Sequence, residues 1–233
     1  MNAMVRQPRA PEPLAGLDDP AVSGTLARLH RRAGGDGVVF LSAAPAFLGA
    51  LAAGKPPFPA VAPKLKNAFI PVSPDQGRLL YLLARAAKAR LIVEFGASFG
   101  ISSIYLAAAA RANGGRLITT EMEPTKAAAA ERHLEDAGLS GVAQVRWGDA
   151  RESLAPLEGP IDFLFLDGWK DLYIDILQML APRMRPGALV LADNIHTFRK
   201  TLKPYVDFMQ DRANGFESAT LPLDHGLELS VKI

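Results

Sequence analysis

The sequence predicts a doubly wound α/β fold with a mostly parallel sheet and a short N-terminal helical cap. Short apolar runs alternate with helical stretches from residue 91 onward, which is the pattern of a parallel sheet joined by crossover helices. The runs are apolar at nearly every position, as strands covered on both faces must be. Four of them end on or beside a carboxylate, at Glu94, Glu121, Asp167 and Asp193. In such sheets ligands bind beyond the carboxyl ends of the strands, so these four acids are expected to face one crevice.

Composition agrees with a folded chain that has a substantial core: 233 residues, 49% hydrophobic and 21% charged. The 26 Lys and Arg against 24 Asp and Glu leave a formal charge of +2, without the dense basic surface of a nucleic-acid binder. Cysteine is absent. That excludes disulfides, thiolate metal sites and a cysteine nucleophile, and leaves oxygen or imidazole ligands for any metal.

Taken in order, residues 1–20 are proline-rich and aperiodic, which suggests a flexible leader. They lack the apolar core of a signal peptide, so a cytoplasmic protein is expected. A helical cap over 21–72 precedes a main domain over 73–233. The cap begins with a short helix near Ala21 to Arg32. Its most apolar window, Val38 to Gly54, contains Ser42 and Pro45 and is shorter than the roughly 20 residues a spanning helix needs. It reads as a buried or partner-facing helix, compatible with a homodimer and with no membrane or nucleic-acid partner. Ser73-Pro74-Asp75-Gln76 then combines a capping Ser, Pro at the first helical position and Gln three residues after the cap, so a helix starts there and runs to about Lys88.

The predicted strands are LIVEF (91–95), RLITTE (116–121), VAQVRW (142–147), IDFLFLD (161–167) and ALVLADN (188–194). Helices are expected at Ile101 to Arg111, Pro124 to Ala137 closed by Gly138, briefly at Arg151 to Leu157, and at Leu172 to Met184.

After the first strand comes Glu94-Phe95-Gly96-Ala97-Ser98-Phe99-Gly100. Gly96 lets the chain turn, and Gly100 lets backbone approach a ligand or a neighbouring strand. Ser98 stands where the second glycine of a dinucleotide fingerprint would be, and no Gly-Lys-Ser/Thr follows, so pyrophosphate is not the favoured guest. Glu121, ending the second strand, is placed to accept hydrogen bonds from a ribose diol. Together these features suggest a nucleoside without phosphates.

An E-x-G-x-x-x-G loop after strand one with an acid ending strand two resembles the class I S-adenosylmethionine-dependent methyltransferases, whose fold is Rossmann-like. Within that resemblance Ser102 fits two roles, binding the methionine carboxylate at the helix N-terminus or capping the helix. Gly148-Asp149-Ala150 stands where the class places adenine contacts. Asp149 suits either the exocyclic amine or the cap of the helix that follows.

Further on stand Asp167-Gly168-Trp169-Lys170-Asp171-Leu172-Tyr173 and, ending the next strand, Asp193-Asn194. Two Asp and one Asn, all oxygen donors on adjacent strand ends, suit a hard cation such as Mg²⁺. The D-x-W-K-D-x-Y spelling, the later Asp-Asn pair and Thr120-Glu121-Met122 together resemble the cation-dependent O-methyltransferases, the catechol and caffeoyl-coenzyme A enzymes, over about Ile70 to Asn194. The resemblance implies that Asp167, Asp193 and Asn194 hold the metal and that Lys170 is the base. It also implies that Glu94, Gly96, Gly100, Ser102, Glu121, Met122, Asp149, Ala150, Asp167 and Trp169 line the cofactor site, with Glu121 on the ribose hydroxyls and Trp169 near adenine.

Two departures stand out. Gly168 replaces a bulkier residue, and no acid clearly matches the one that binds the non-transferred hydroxyl in the catechol enzyme; Glu217 and Asp224 are the candidates. The expected activity is Mg²⁺-assisted transfer of a methyl group from S-adenosylmethionine to a small aromatic vicinal diol. A metal-independent methyltransferase of the same fold, a nicotinamide dehydrogenase and a non-catalytic cofactor binder are the rivals, and His196 is the alternative base.

Overall fold

A computed structural model describes residues 16–34, 37–54 and 68–233. Most of the expected leader, residues 1–15, lies outside the described residues. Helix α1 (Pro20–Ala33) starts at Asp19, whose side chain accepts from the Ala21 N–H, and buries Val22, Leu26 and Leu29. Helix α2 (Gly37–Ala52) carries Pro45 inside it, and its Leu48 is 63% exposed. Helix α3 (Pro74–Ala86) begins at Ser73 as the capping pattern requires, with Ser73 Oγ accepting from the Gln76 N–H at 3.1 Å.

The main fold then alternates: β1 (Leu91–Phe95), α4 (Ile101–Ala112), β2 (Arg116–Glu121), α5 (Pro124–Asp136), β3 (Ala143–Trp147), the short α6 (Ala150–Ser153), β4 (Ile161–Leu166), α7 (Tyr173–Leu180) and β5 (Met184–Ala192). Helix α8 (Arg199–Gln210) leads to a closing hairpin of β6 (Phe216–Leu221) and β7 (Leu227–Lys232). The sheet order is β3-β2-β1-β4-β5-β7-β6, parallel except for β7.

Two differences from the expected elements have local causes. Strand β5 starts at Met184, four residues before the apolar run, because Met184 already pairs with Ile161; the register then shifts before Phe163 meets Leu189. Pro186 and Gly187, the latter at φ 77°, occupy that irregularity and break the sequence signal. The helix expected to reach Met184 ends at Leu180 and gives way to a 3₁₀ turn over Ala181–Arg183 around Pro182, which cannot continue the helical ladder.

Both sheet faces are covered. Ile92, Leu117, Phe163 and Phe165 pack in one cluster with residues of α1, α3 and α4, while Val93, Ile118, Leu164 and Val190 pack in the other with residues of α7 and α8. Successive strand residues thus face different cores, which accounts for the near-continuous apolar runs. Helix α4 is buried almost all round, and its Ala107 to Ala110 stretch is fully enclosed. Strand order reverses between β1 and β4, so the crevice lies beyond their carboxyl ends. Among the described residues no helix is long and apolar enough to cross a membrane.

Helix α3 is pressed onto α4 at Gly77, where an added Cβ would stand 2.3 Å from the buried Tyr105 ring. The ring is buried, with its hydroxyl 3.2 Å from His30 Nε2. Gly77→Ala should therefore cost about 1–3 kcal/mol, the usual penalty of overpacking, despite alanine's better helix propensity. Urea denaturation of the two proteins checks this, and equal midpoints would contradict it.

Candidate active site

The loop from β1 to α4 is fixed by backbone contacts. Gly96, at φ 101°, lies so close to the exit of β4 that a Cβ would stand 2.5 Å from the Gly168 nitrogen. The two strand exits thus meet backbone to backbone. A Cβ on Gly168 would in turn stand 2.6 Å from the Phe95 ring, which explains why no bulkier residue occupies that position. Gly100, at φ 83°, is the left-handed residue that opens α4. The Gly96 and Ala97 N–H groups both donate to the Thr120 carbonyl, tying the loop to β2.

Glu121 sits beneath this loop. Its Oε2 accepts from the Ser98 N–H at 2.8 Å and its Oε1 from the Glu123 N–H at 2.9 Å. These backbone bonds fix the carboxylate and leave further lone pairs for a diol. Trp147, opposite Glu121 in the strand register, is 67% exposed, and its indole N–H donates to the Met122 carbonyl at 3.1 Å. Exposed Met122 and Trp147 therefore supply apolar surface beside the acid. Trp147 was not among the sequence candidates; its only signal was a large aromatic at the end of an edge strand.

Glu94 is fully buried, and burial raises its pKa against the pull of the Ser102, Ser103 and Thr119 hydroxyls. Ser103 donates to its Oε2, while Oε1 has no hydrogen-bond partner. Ser102 is thus turned toward Glu94 and does not cap α4, whose N-terminus has no side-chain cap. Asp149 takes the capping alternative: it accepts from the Arg151 N–H at 2.8 Å and pairs with the Arg151 guanidinium, which holds its carboxyl below the usual range. Ala150 is buried behind it. Trp169 directly precedes the 3₁₀ turn Lys170–Leu172 and packs, partly buried, against the core below.

At the neighbouring strand ends, Asp167 and Asp193 come together around Lys170. Lys170 Nζ donates to Asp167 Oδ1 at 3.0 Å, to the Asp167 carbonyl at 3.3 Å and to Tyr173 Oη at 2.8 Å. Tyr173 donates onward to the Asp193 carbonyl at 3.3 Å. The ammonium's three protons are all committed inward. Burial pushes the Asp167 carboxyl up to about 7, opposed by the Lys170 charge and reinforced by Asp193. Burial also raises Asp193, opposed first by Lys170. Asn194, in the left-handed region at φ 68°, donates its N–H to Asp193 Oδ1 at 2.6 Å and its amide to Oδ2 at 3.1 Å. Tyr173 completes this cluster; its spacing of three from Lys170 puts both on one side of a helical turn.

Segment 68–76 borders the crevice. Ser98 Oγ donates to the Phe69 carbonyl at 2.8 Å, and the Phe69 and Phe99 rings stack 4.3 Å apart. At the other end Ser73 Oγ donates to Asp224, in the turn between β6 and β7. That turn also meets the chain after β5, through Ile195 N–H to the Gly226 carbonyl at 3.0 Å and His196 N–H to the His225 carbonyl at 2.9 Å. His196 is exposed on the rim, against Gly226. Of the two C-terminal acids, Asp224 reaches the crevice. Glu217 stands at the start of β6, exposed and 3.7 Å from Arg212, and is removed from the site.

Residues 93–195 match a family described as a methyltransferase domain. A catechol O-methyltransferase of Niastella koreensis is 42% identical over 130 residues, 54% of this chain and 58% of that one. A catechol O-methyltransferase of Mycobacterium tuberculosis is 37% identical over 127 residues, 54% and 57% of the two chains. The chain thus spans less than three fifths of the length of these curated relatives. Among solved structures, an O-methyltransferase from Bacillus cereus in complex with S-adenosylhomocysteine has a TM-score of 0.64 at 25% identity, covering 70% of this chain and 83% of that one. TomG, an O-methyltransferase from Streptomyces achromogenes in complex with S-adenosylmethionine, has a TM-score of 0.63 at 25% identity, covering 82% and 88%. The sheet order, the matched stretch and these relatives agree: the fold is that of the class I methyltransferases, and over residues 93–195 the chain is similar to O-methyltransferases.

Proposed function

We propose that this protein transfers a methyl group from S-adenosylmethionine to one hydroxyl of a small aromatic vicinal diol, assisted by a divalent cation. The observation that carries the reading is the pairing of Asp167 and Asp193, two largely buried carboxylates at adjacent strand ends that among the described residues face one ammonium, Lys170, Asp167 by an ion pair and Asp193 at longer range. Two such acids against one ammonium leave negative charge uncompensated, so a dication fits the set. Asp167, Asp193 and Asn194 would hold it through oxygen. A bound cation would favour the phenolate form of a chelated phenol, whose pKa near ~10 otherwise makes it a poor nucleophile at neutral pH.

The cofactor also fits the residues present. Glu94 has an unpartnered, fully buried Oε1, an acceptor suited to a positively charged guest. Glu121 would take the ribose hydroxyls, with Met122 and Trp147 beside it for the adenine. Gly96 and Gly168 keep the two strand exits in contact, which fixes the distance between this half of the site and the carboxylates. Lys170 Nζ is the proposed proton acceptor. Its three inward bonds suit the ammonium, which has no lone pair, so one of those three protons must first leave to solvent before the amine can take the substrate proton. Holding both reactants in line would supply much of the rate.

Three outcomes test the reading. Chelator should abolish methyl transfer to catechol and Mg²⁺ restore it, while calorimetry shows S-adenosylhomocysteine still binding; cation affinity should fall as pH drops through about 7, since protons compete for Asp167. Full turnover in excess chelator would favour the metal-independent rival. Glu121→Ala should weaken S-adenosylhomocysteine binding by about 1–3 kcal/mol through lost charge-assisted bonds, and unchanged affinity would remove Glu121 from the cofactor site. Lys170→Ala should slow turnover ~10² to 10⁴-fold, with partial rescue at high pH where the phenol ionises unaided. If the variant keeps near-normal turnover while His196→Ala does not, the base is His196.

A further inference from the structure

The Ser73 to Gln76 signature predicts a reciprocal capping box, in which the Gln side chain returns to the Ser73 N–H. Only half of it forms. Ser73 Oγ accepts from the Gln76 N–H, but the Gln76 side chain turns inward, where the residue is 1% exposed and Nε2 has no hydrogen-bond partner. Its carboxamide lies near enough to Asp193 to act on that carboxyl as a donor and lower its pKa, yet no hydrogen bond of full geometry forms between them. The position is enforced from behind, since Gly77 lets α3 sit directly on the Tyr105 ring. A buried amide without a partner is costly, and such a group in a native site calls for an explanation.

The explanation lies in how Asp193 is held. Both of its oxygens are now occupied by Asn194, whose N–H bonds Oδ1 and whose side-chain amide bonds Oδ2. If Asn194 is itself a ligand, as the proposed function requires, its side chain must present oxygen to the cation, and its amide hydrogens leave Asp193. The donor already waiting beside that carboxylate is Gln76. We infer that Gln76 is a positioning residue for the cation site, holding the Asp193 carboxylate from α3 when the Asn194 side chain turns to the metal. It touches neither the methyl donor nor the reacting oxygen and acts only through Asp193. The inference rests on the cation reading above.

The test is Mn²⁺ binding to the full chain saturated with S-adenosylhomocysteine, followed by electron paramagnetic resonance, with thermal melting of the cation-free proteins alongside. Gln76→Met keeps the volume and removes the donors. It should bind Mn²⁺ about tenfold more weakly, in line with loss of a hydrogen-bond partner behind a metal ligand. Cofactor affinity should be unchanged and the melting temperature equal or higher, because the unpartnered amide is gone. A merely structural glutamine predicts the opposite, a lower melting temperature with unchanged Mn²⁺ affinity. Ser73→Ala controls for α3 itself, since it should destabilise the helix without moving Mn²⁺ affinity. If the wild-type chain binds Mn²⁺ and Gln76→Met binds it equally well, the inference fails alone; if the wild-type chain binds none, the cation reading fails and takes the inference with it.

Discussion

Uncompensated negative charge is the constraint around which the crevice is built. Glu94 is fully buried, Asp167 and Asp193 are largely so, and Lys170 is the ammonium that faces the two aspartates. Carboxylates withdrawn from water are expensive unless paired or protonated, and the raised pKa of each member of this set records that cost. The surrounding fold makes it bearable. Hydroxyls of Ser102 and Ser103 act on Glu94, Asn194 supplies two donors to Asp193, and Tyr173 ties Lys170 to the backbone at Asp193. A crevice in this state is poised for positively charged guests, which suits both a sulfonium cofactor and a divalent cation.

The sheet was legible in the sequence because its strands are buried on two faces and read as unbroken apolar runs. Its carboxyl-end acids were legible for the same reason: each ends such a run or stands beside its last residue. Where the run was interrupted the signal failed, as at Pro186-Gly187, which hid the first residues of β5 inside a bulge. Helix α8 and the β6–β7 hairpin form a C-terminal addition that the apolar runs did not announce, because FESATL and LELSVK mix polar with apolar residues and are only partly buried.

Partner choice was the less legible layer. Ser102 and Asp149 each had two sensible local roles and Gln76 only that of the capping pattern, and tertiary packing decided: Ser102 turns to a buried acid, Asp149 to a cap and an arginine, Gln76 to the crevice. Sequence spacing limits which groups can meet, but the burial of Glu94 and the pressure of Tyr105 behind Gly77 lie in contacts made across the fold. Gly168 shows the same point from the side of volume. Its lack of a side chain looked like a departure from the family pattern, and the Phe95 ring beneath it is the cause.

The hydrogen bond between Ser73 and Asp224 joins two pieces of chain that lie on opposite sides, in sequence, of the methyltransferase stretch 93–195. Everything proposed to grip the nucleoside falls inside that stretch, whereas the rim opposite it is made by residues 68–76 before and 222–226 after. The residues proposed to grip the nucleoside and this part of the rim thus lie in separate parts of the chain. The hairpin turn lies outside the loop around Gly96 and can be respelled apart from it, whereas the approach to α3 is tied to that loop through Ser98 and the Phe69–Phe99 stack and must change in step with it.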